Sequence, residues 1–89
     1  MVKYRVLLSK QAVDDLAKLQ AAGLGAKAKR LYEILREDPF TKNPRYEALV
    51  GNLKGYYSRR INLRHRLIYR VDRKAREVYV VRMWTHYGD

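Results

Sequence analysis

A carboxylate, a set of arginines and a late histidine are the residues of this chain that could do chemistry together. Glu47 is the single acid between Pro39 and Val71, a segment that holds eight Lys or Arg. Arg59, Arg60, Arg66 and Arg70 follow it, and His86–Tyr87 stands near the end of the sequence. Such a kit suffices to cut RNA without a metal ion. A base removes the proton of a 2′-hydroxyl, whose oxygen attacks the adjacent phosphorus. Guanidinium groups stabilise the charge building on the phosphorane, and an acid protonates the departing 5′-oxygen. Imidazole titrates near neutrality and suits that last task. Residue type alone does not assign these roles, because a single glutamate in a basic loop commonly serves as an ion-pair partner and a single late histidine commonly sits on a surface. His65, beside a turn signal, reads as structural, and Tyr56 and Tyr57 read as core and rim.

The elements that would position these residues follow from periodicity. "KYRVLL" alternates and is rich in β-formers, so it predicts a first strand. Ser9 predicts an N-cap for "KQAVDDLAKLQAAG", with Val13, Leu16, Ala17 and Gln20 as its core-facing stripe, flanked by Leu19. Gly23 predicts the stop. A second helix is expected from about Gly25 to Glu37, with Ala28, Leu31, Tyr32, Ile34 and Leu35 facing the core, and Asp38–Pro39 ends it. The short connection predicts an antiparallel helical hairpin. A loop from Phe40 to Asn52 holds a short strand near Tyr46–Val50. Strands are then expected at Tyr57–Leu63, Arg66–Val71 and Glu77–Thr85, with turns at Asn62–His65 and Asp72–Ala75. The order β-α-α-β-β-β-β predicts an α+β domain in which the hairpin covers one face of a twisted antiparallel sheet.

Alternation splits each strand between two faces. Tyr57, Arg59, Ile61 and Leu63, then Leu67, Tyr69 and Val71, then Tyr79, Val81 and Met83 fall toward the helices, with Arg59 a misfit. Arg60, Arg66, Arg70, Arg82, Trp84 and His86 gather on the open face. Like charges on neighbouring strands repel, so such a face suits a polyanion, and arginine's planar fork binds phosphate bidentately. Lys54, Arg59, Arg60, Arg70 and Arg82 are accordingly expected to bind RNA phosphate.

Composition sets the outer bounds. The 89 residues are expected to form one domain over 1–89, and 47% hydrophobic content allows one modest core. The absence of cysteine excludes disulfides and thiolate metal sites, and with His65 and His86 the only histidines no metal or cofactor is expected. No apolar run approaches a membrane span, and "MVKYRVLLSKQ" lacks a small-residue cleavage site, so a cytoplasmic protein without membrane contact is expected. A net charge of +11 suits nucleic acid or a very acidic protein.

"YEALVGNLKGYYSRRINLRHRLIYRV", followed by "THY" near the end, resembles the YoeB/Txe branch of the RelE-type bacterial toxins. The likeness rests on the Glu-x-Leu before "NLKG", the "GYYSRRI" strand, the "HRLIY" strand, the final His-Tyr and the helix end "DPF". It implies the RelE-like microbial RNase fold. It implies ribosome-dependent cleavage of mRNA in the ribosomal A site, leaving a 2′,3′-cyclic phosphate. By this resemblance Glu47 is the general base, Arg66 the phosphate-stabilising arginine, Arg60 its support, His86 the general acid and Tyr87 a substrate-placing tyrosine. It also implies a cognate acidic antitoxin of YefM/Phd-like type, and contact with operator DNA through that antitoxin. Three positions depart from the family pattern: Val50 stands where lysine is frequent, Tyr46 precedes Glu47 where proline is common, and Gly88–Asp89 follow the His-Tyr pair.

Two rivals use other chemistry. A non-catalytic nucleic-acid platform would present several stacking aromatics beside a basic groove, and this face offers chiefly Trp84. A gyrase-poisoning toxin on the same scaffold would lack the Glu, Arg and His-Tyr set.

Overall fold

Ser9 decides where the first helix begins and ties it to the sheet. In the computed structural model, which describes residues 3–85, its backbone is extended and its Oγ accepts from the Ala12 N–H at 3.0 Å. The same hydroxyl donates to the Val81 carbonyl at 2.9 Å. Helix α1 runs Lys10–Ala21 and α2 runs Gly25–Glu37, the extents expected from the sequence, although Tyr32, expected in the core-facing stripe of α2, is 37% exposed. Gly23, at φ +78°, and Leu24 close α1, their N–H groups donating to the carbonyls of Gln20 and Leu19. This is a Schellman stop, and Leu24 then packs on the core. Among the described residues no helix is long and apolar enough to cross a membrane.

The strands are β1 (Arg5–Leu8), β2 (Tyr46–Ala48), β3 (Tyr57–Arg60), β4 (Arg66–Asp72) and β5 (Glu77–Thr85), in the spatial order β1-β5-β4-β3-β2. The expected α+β architecture is borne out. One feature refines it: β1 lies parallel to β5, so the sheet is mixed, while all other pairs are antiparallel. A 3-10 turn at Gly51–Leu53 separates β2 from β3. The Asn62 carboxamide oxygen shapes the β3–β4 turn by accepting from the N–H groups of Arg64 and His65. Asp72 accepts from Ala75 N–H in the β4–β5 turn. The helices bury Ala12, Leu19, Ala28, Leu31 and Leu35 against Leu67, Tyr69, Val78, Val80 and Met83.

Leu63, expected toward the helices in a strand reaching Leu63, lies past the end of β3 at Arg60 and is 86% exposed, and two further expectations about facing are corrected. Val78 and Val80, not Tyr79 and Val81, join Met83 in the core. The β4–β5 register slips twice, between Tyr69 and Ile68 and again before Arg66. Each slip inserts an extra residue into β5 and reverses its alternation. The second correction concerns α1, whose buried face is Ala12, Asp15 and Leu19, while Val13 is 52% exposed. Asp15 turns inward because the slipped strand needs an acceptor. Its Oδ2 takes the Met83 N–H at 3.0 Å and the Arg82 Nε–H at 2.9 Å. Burial alone would raise this carboxyl. The bonds from Arg82, Met83 and Trp84 outweigh that and hold it below the usual carboxylate range.

Arg59 explains its misfit in the apolar set by being a core residue, 1% exposed. Its Nε donates to the Tyr69 hydroxyl at 3.1 Å, and its Nη2 donates to the carbonyls of Pro39 and Thr41, each at 2.8 Å. Its Nη1 donates to the Pro44 carbonyl. The guanidinium also lies 5.1 Å from the centre of the Tyr46 ring. One buried fork thereby fastens the whole connection between α2 and β2.

Candidate active site

Glu47 sits in the short edge strand β2, opposite Ser58 of β3. Fastening of the preceding loop by Arg59 determines where this edge strand lies. Alternation then sends Glu47 to the face away from the helices, with its side chain 47% exposed. Arg60, at the end of β3, pairs with Arg66 at the start of β4. Arg66 in turn pairs with Thr85, the last residue of β5. Three neighbouring strands thus bring Glu47, Arg60 and Arg66 to one side of the sheet. The Arg66 Nη1 stands 3.9 Å from the Glu47 Oε1. That separation is attractive but too long for a hydrogen bond, so the carboxylate lone pairs stay available.

Pro44, Arg45, Glu47, Ser58 and Arg60 line a cavity of about 370 Å³. Arg45, Glu47 and Arg60 are exposed at its rim, and Ser58 is 2% exposed. The cavity therefore offers one carboxylate, one hydroxyl and two guanidinium groups, with Arg66 beside the carboxylate. A phosphodiester entering here meets a carboxylate and exposed guanidinium groups that can bind its oxygens. His86 and Tyr87 lie outside the described residues.

The other expected phosphate contacts are dispersed. Arg70 is exposed on the open face, but four residues along β4 from Arg66, about 13 Å away. Its guanidinium lies 4.3 Å above the Tyr79 ring. Lys54 is exposed just after the 3-10 turn. Arg82, expected on the open face to bind phosphate, is instead committed to Asp15 of α1, with its Nε 2.9 Å from the Oδ2. Arg59 is buried and its donors are occupied, so its side chain faces no substrate. Trp84 also departs from the expected open position. It packs on the core cluster and stacks on the His65 ring, with centroids 3.8 Å apart. This removes the aromatic that a stacking platform would use. His65, expected to be structural, donates its backbone N–H to the Asn62 Oδ1 at 2.7 Å. Its Nδ1 is buried without a partner among the described residues.

Arg45 and Ser58 are site-lining residues that sequence reasoning did not single out. Ser58 carried a usable signal, since it shares alternation parity with Arg60. Arg45 lies in an irregular loop, where no periodicity points a side chain.

Comparison with known proteins gives a consistent set of relatives. The family described as "YoeB-like toxin of bacterial type II toxin-antitoxin system" matches residues 8–87. Toxin YoeB of Synechocystis sp. is 39% identical over 57 residues, which is 64% of this chain and 64% of that protein. The chain thus aligns with slightly less than two thirds of that curated relative. Among solved structures, the YoeB/ParE toxin from Agrobacterium tumefaciens superposes with a TM-score of 0.83 at 29% identity, over 93% of this chain and 99% of its own. A chain of the YoeB-YefM complex from Staphylococcus aureus superposes with a TM-score of 0.76 at 32% identity, over 97% of this chain and 100% of its own.

Proposed function

The chain belongs to the family of YoeB-like toxins of bacterial type II toxin-antitoxin systems, and from that premise we propose that it is a ribosome-dependent endoribonuclease that cuts mRNA in the A site. The observation that supports this most is the meeting of Glu47 and Arg66 across the sheet, with Arg60 alongside and a cavity in front. Glu47 takes the proton of the 2′-hydroxyl. The freed oxygen attacks the adjacent phosphorus, and negative charge accumulates on the non-bridging oxygens. Arg66, with Arg60 behind it, binds those oxygens more tightly in the phosphorane than in the ground state. His86 gives its proton to the 5′-oxygen as the phosphorus–oxygen bond breaks, and Tyr87 holds the nucleotide. The products are a 2′,3′-cyclic phosphate and a free 5′-hydroxyl, with every proton accounted for.

The partner follows from the charge. A chain at +11 with an unmasked basic face suits a cognate acidic antitoxin. The Staphylococcus aureus relative is in complex with YefM, and a YefM/Phd-like antitoxin that also carries the complex to operator DNA is the corresponding proposal here. Purified protein added to translating ribosomes should yield new message 5′ ends at A-site codons in primer extension. Glu47→Ala and His86→Gln should each abolish those ends while antitoxin binding persists. Uncut message with the unaltered protein would overturn the reading, as would wild-type cleavage by either variant.

A further inference from the structure

A second cavity, of about 240 Å³, adjoins the one in front of Glu47 and shares Pro44 and Arg60 as its wall. Its far side is helix α2, through Lys27 and Arg30. These two lie three residues apart and so project from one helix face. Both are exposed, and with Arg60 they place three cations around a space that an anion can enter. Among the described residues none of the three has a carboxylate within ion-pairing distance, whereas Arg5, Arg36, Arg66 and Arg82 each have one. The nearby acids Glu33 and Glu37 line a separate, more open depression that Arg30 and Ile34 also border, and Glu33 is paired with Arg36.

We infer that Lys27, Arg30 and Arg60 form a flanking subsite for a backbone phosphate of the same RNA strand that is cut in front of Glu47. The inference rests on the proposed RNA cleavage and extends it to a substrate contact on the helical layer. Continuity decides the occupant. Arg60 stands at the boundary of both cavities, so one strand that lays its scissile linkage beside Glu47 carries a neighbouring phosphate past Arg60 into the second space. The contact is to backbone, so it sets register and affinity without reading bases. Its walls are long, rotatable side chains on a fixed helix, suited to any sequence.

The test pairs a protein change with a substrate change. Lys27→Gln/Arg30→Gln alters exposed helix positions with residues of good helix propensity, so folding should be unaffected. The probe is a single-stranded RNA made uncleavable by one 2′-deoxy position, with a neutral methylphosphonate placed at each flanking linkage in turn. Binding is followed by anisotropy across a salt series. One methylphosphonate position should weaken binding to the unaltered protein about tenfold and have little effect on the double variant. The salt slope of the variant should be shallower by about 0.7 for each phosphate it no longer neutralises. Equal sensitivity of both proteins to every methylphosphonate overturns the inference. So does a variant that binds RNA normally but fails to bind its antitoxin, which would assign the cavity to that protein. Failure of the unaltered protein to cut ribosome-bound message would refute the cleavage reading separately, because the binding series does not depend on cleavage.

Discussion

Replacing Arg59 by methionine isolates how much a buried guanidinium contributes to this fold. Methionine fills a similar volume and removes the four donated bonds to Tyr69, Pro39, Thr41 and Pro44. The Pro39 carbonyl keeps a partner, since the Tyr69 hydroxyl donates to it at 2.9 Å. The carbonyls of Thr41 and Pro44 lose theirs, at about 1–3 kcal/mol each, toward the low end where water reaches them. The stacking on Tyr46 contributes about 1 kcal/mol more. Against this stands relief of a buried cation that no carboxylate neutralises, a gain of about 1–2 kcal/mol once those same carbonyls are credited with solvating it. The net is about 2–3 kcal/mol destabilising. At roughly 4–8 °C per kcal/mol for a chain of this size, the melting point should fall by about 10–20 °C. Differential scanning calorimetry reads this directly. A methionine variant that melts within about 3 °C of the parent would show that desolvation of the cation cancels its bonds, and that something other than this fork fastens the α2–β2 connection. Arg59→Lys should fare little better, since an ammonium cannot span three carbonyls in one plane.

Other sites give independent checks. Asp15→Asn should cost about 2 kcal/mol at neutral pH, since the amide accepts more weakly than the carboxylate from Met83 and Arg82. The folded carboxyl titrates below its ordinary value of 3.8, so its extra stability is present above that value and is lost as pH falls through the lower folded one. Urea midpoints of parent and variant should therefore converge on acidification, and a gap that stays constant down to strongly acid pH would refute the account. Arg66→Ala should slow cleavage of ribosome-bound message by about 100-fold, some 3 kcal/mol of transition-state stabilisation, with melting little changed; a rate within threefold of the parent would remove Arg66 from the chemistry. Tyr69, pushed up to about 12 by burial, should resist ionisation in an absorbance titration until the protein unfolds. Ionisation of all tyrosines near the ordinary value of a free phenol, with the fold intact, would contradict its buried place.

Local signals along the chain suffice to place the helices and most of each strand. Ser9, Gly23 and Asp38–Pro39 mark helix ends by local backbone preferences, which act within a few residues and need no partner. Arg60 and Arg66 were legible because regular strands alternate, and β3 pairs with β4 without interruption up to Arg60 opposite Arg66, whereas Glu47 stood out as the single acid of a basic segment. Features set by long-range packing lie where two distant segments meet. The slips in β5 depend on its register with β4 and on Ser9 and Asp15 of the helical layer to satisfy the displaced backbone. Because the slips break the period, no single count along β5 puts Val78, Val80 and Met83 on one face, and Arg82 and Trp84 are held by Asp15 and by the core cluster. Arg59 was legible as a charge but not as a core residue, because the carbonyls that solvate it come from a loop fifteen to twenty residues earlier. A charge is buried only where the folded chain assembles enough dipoles around it, and that is a property of the assembled structure, not of any local stretch.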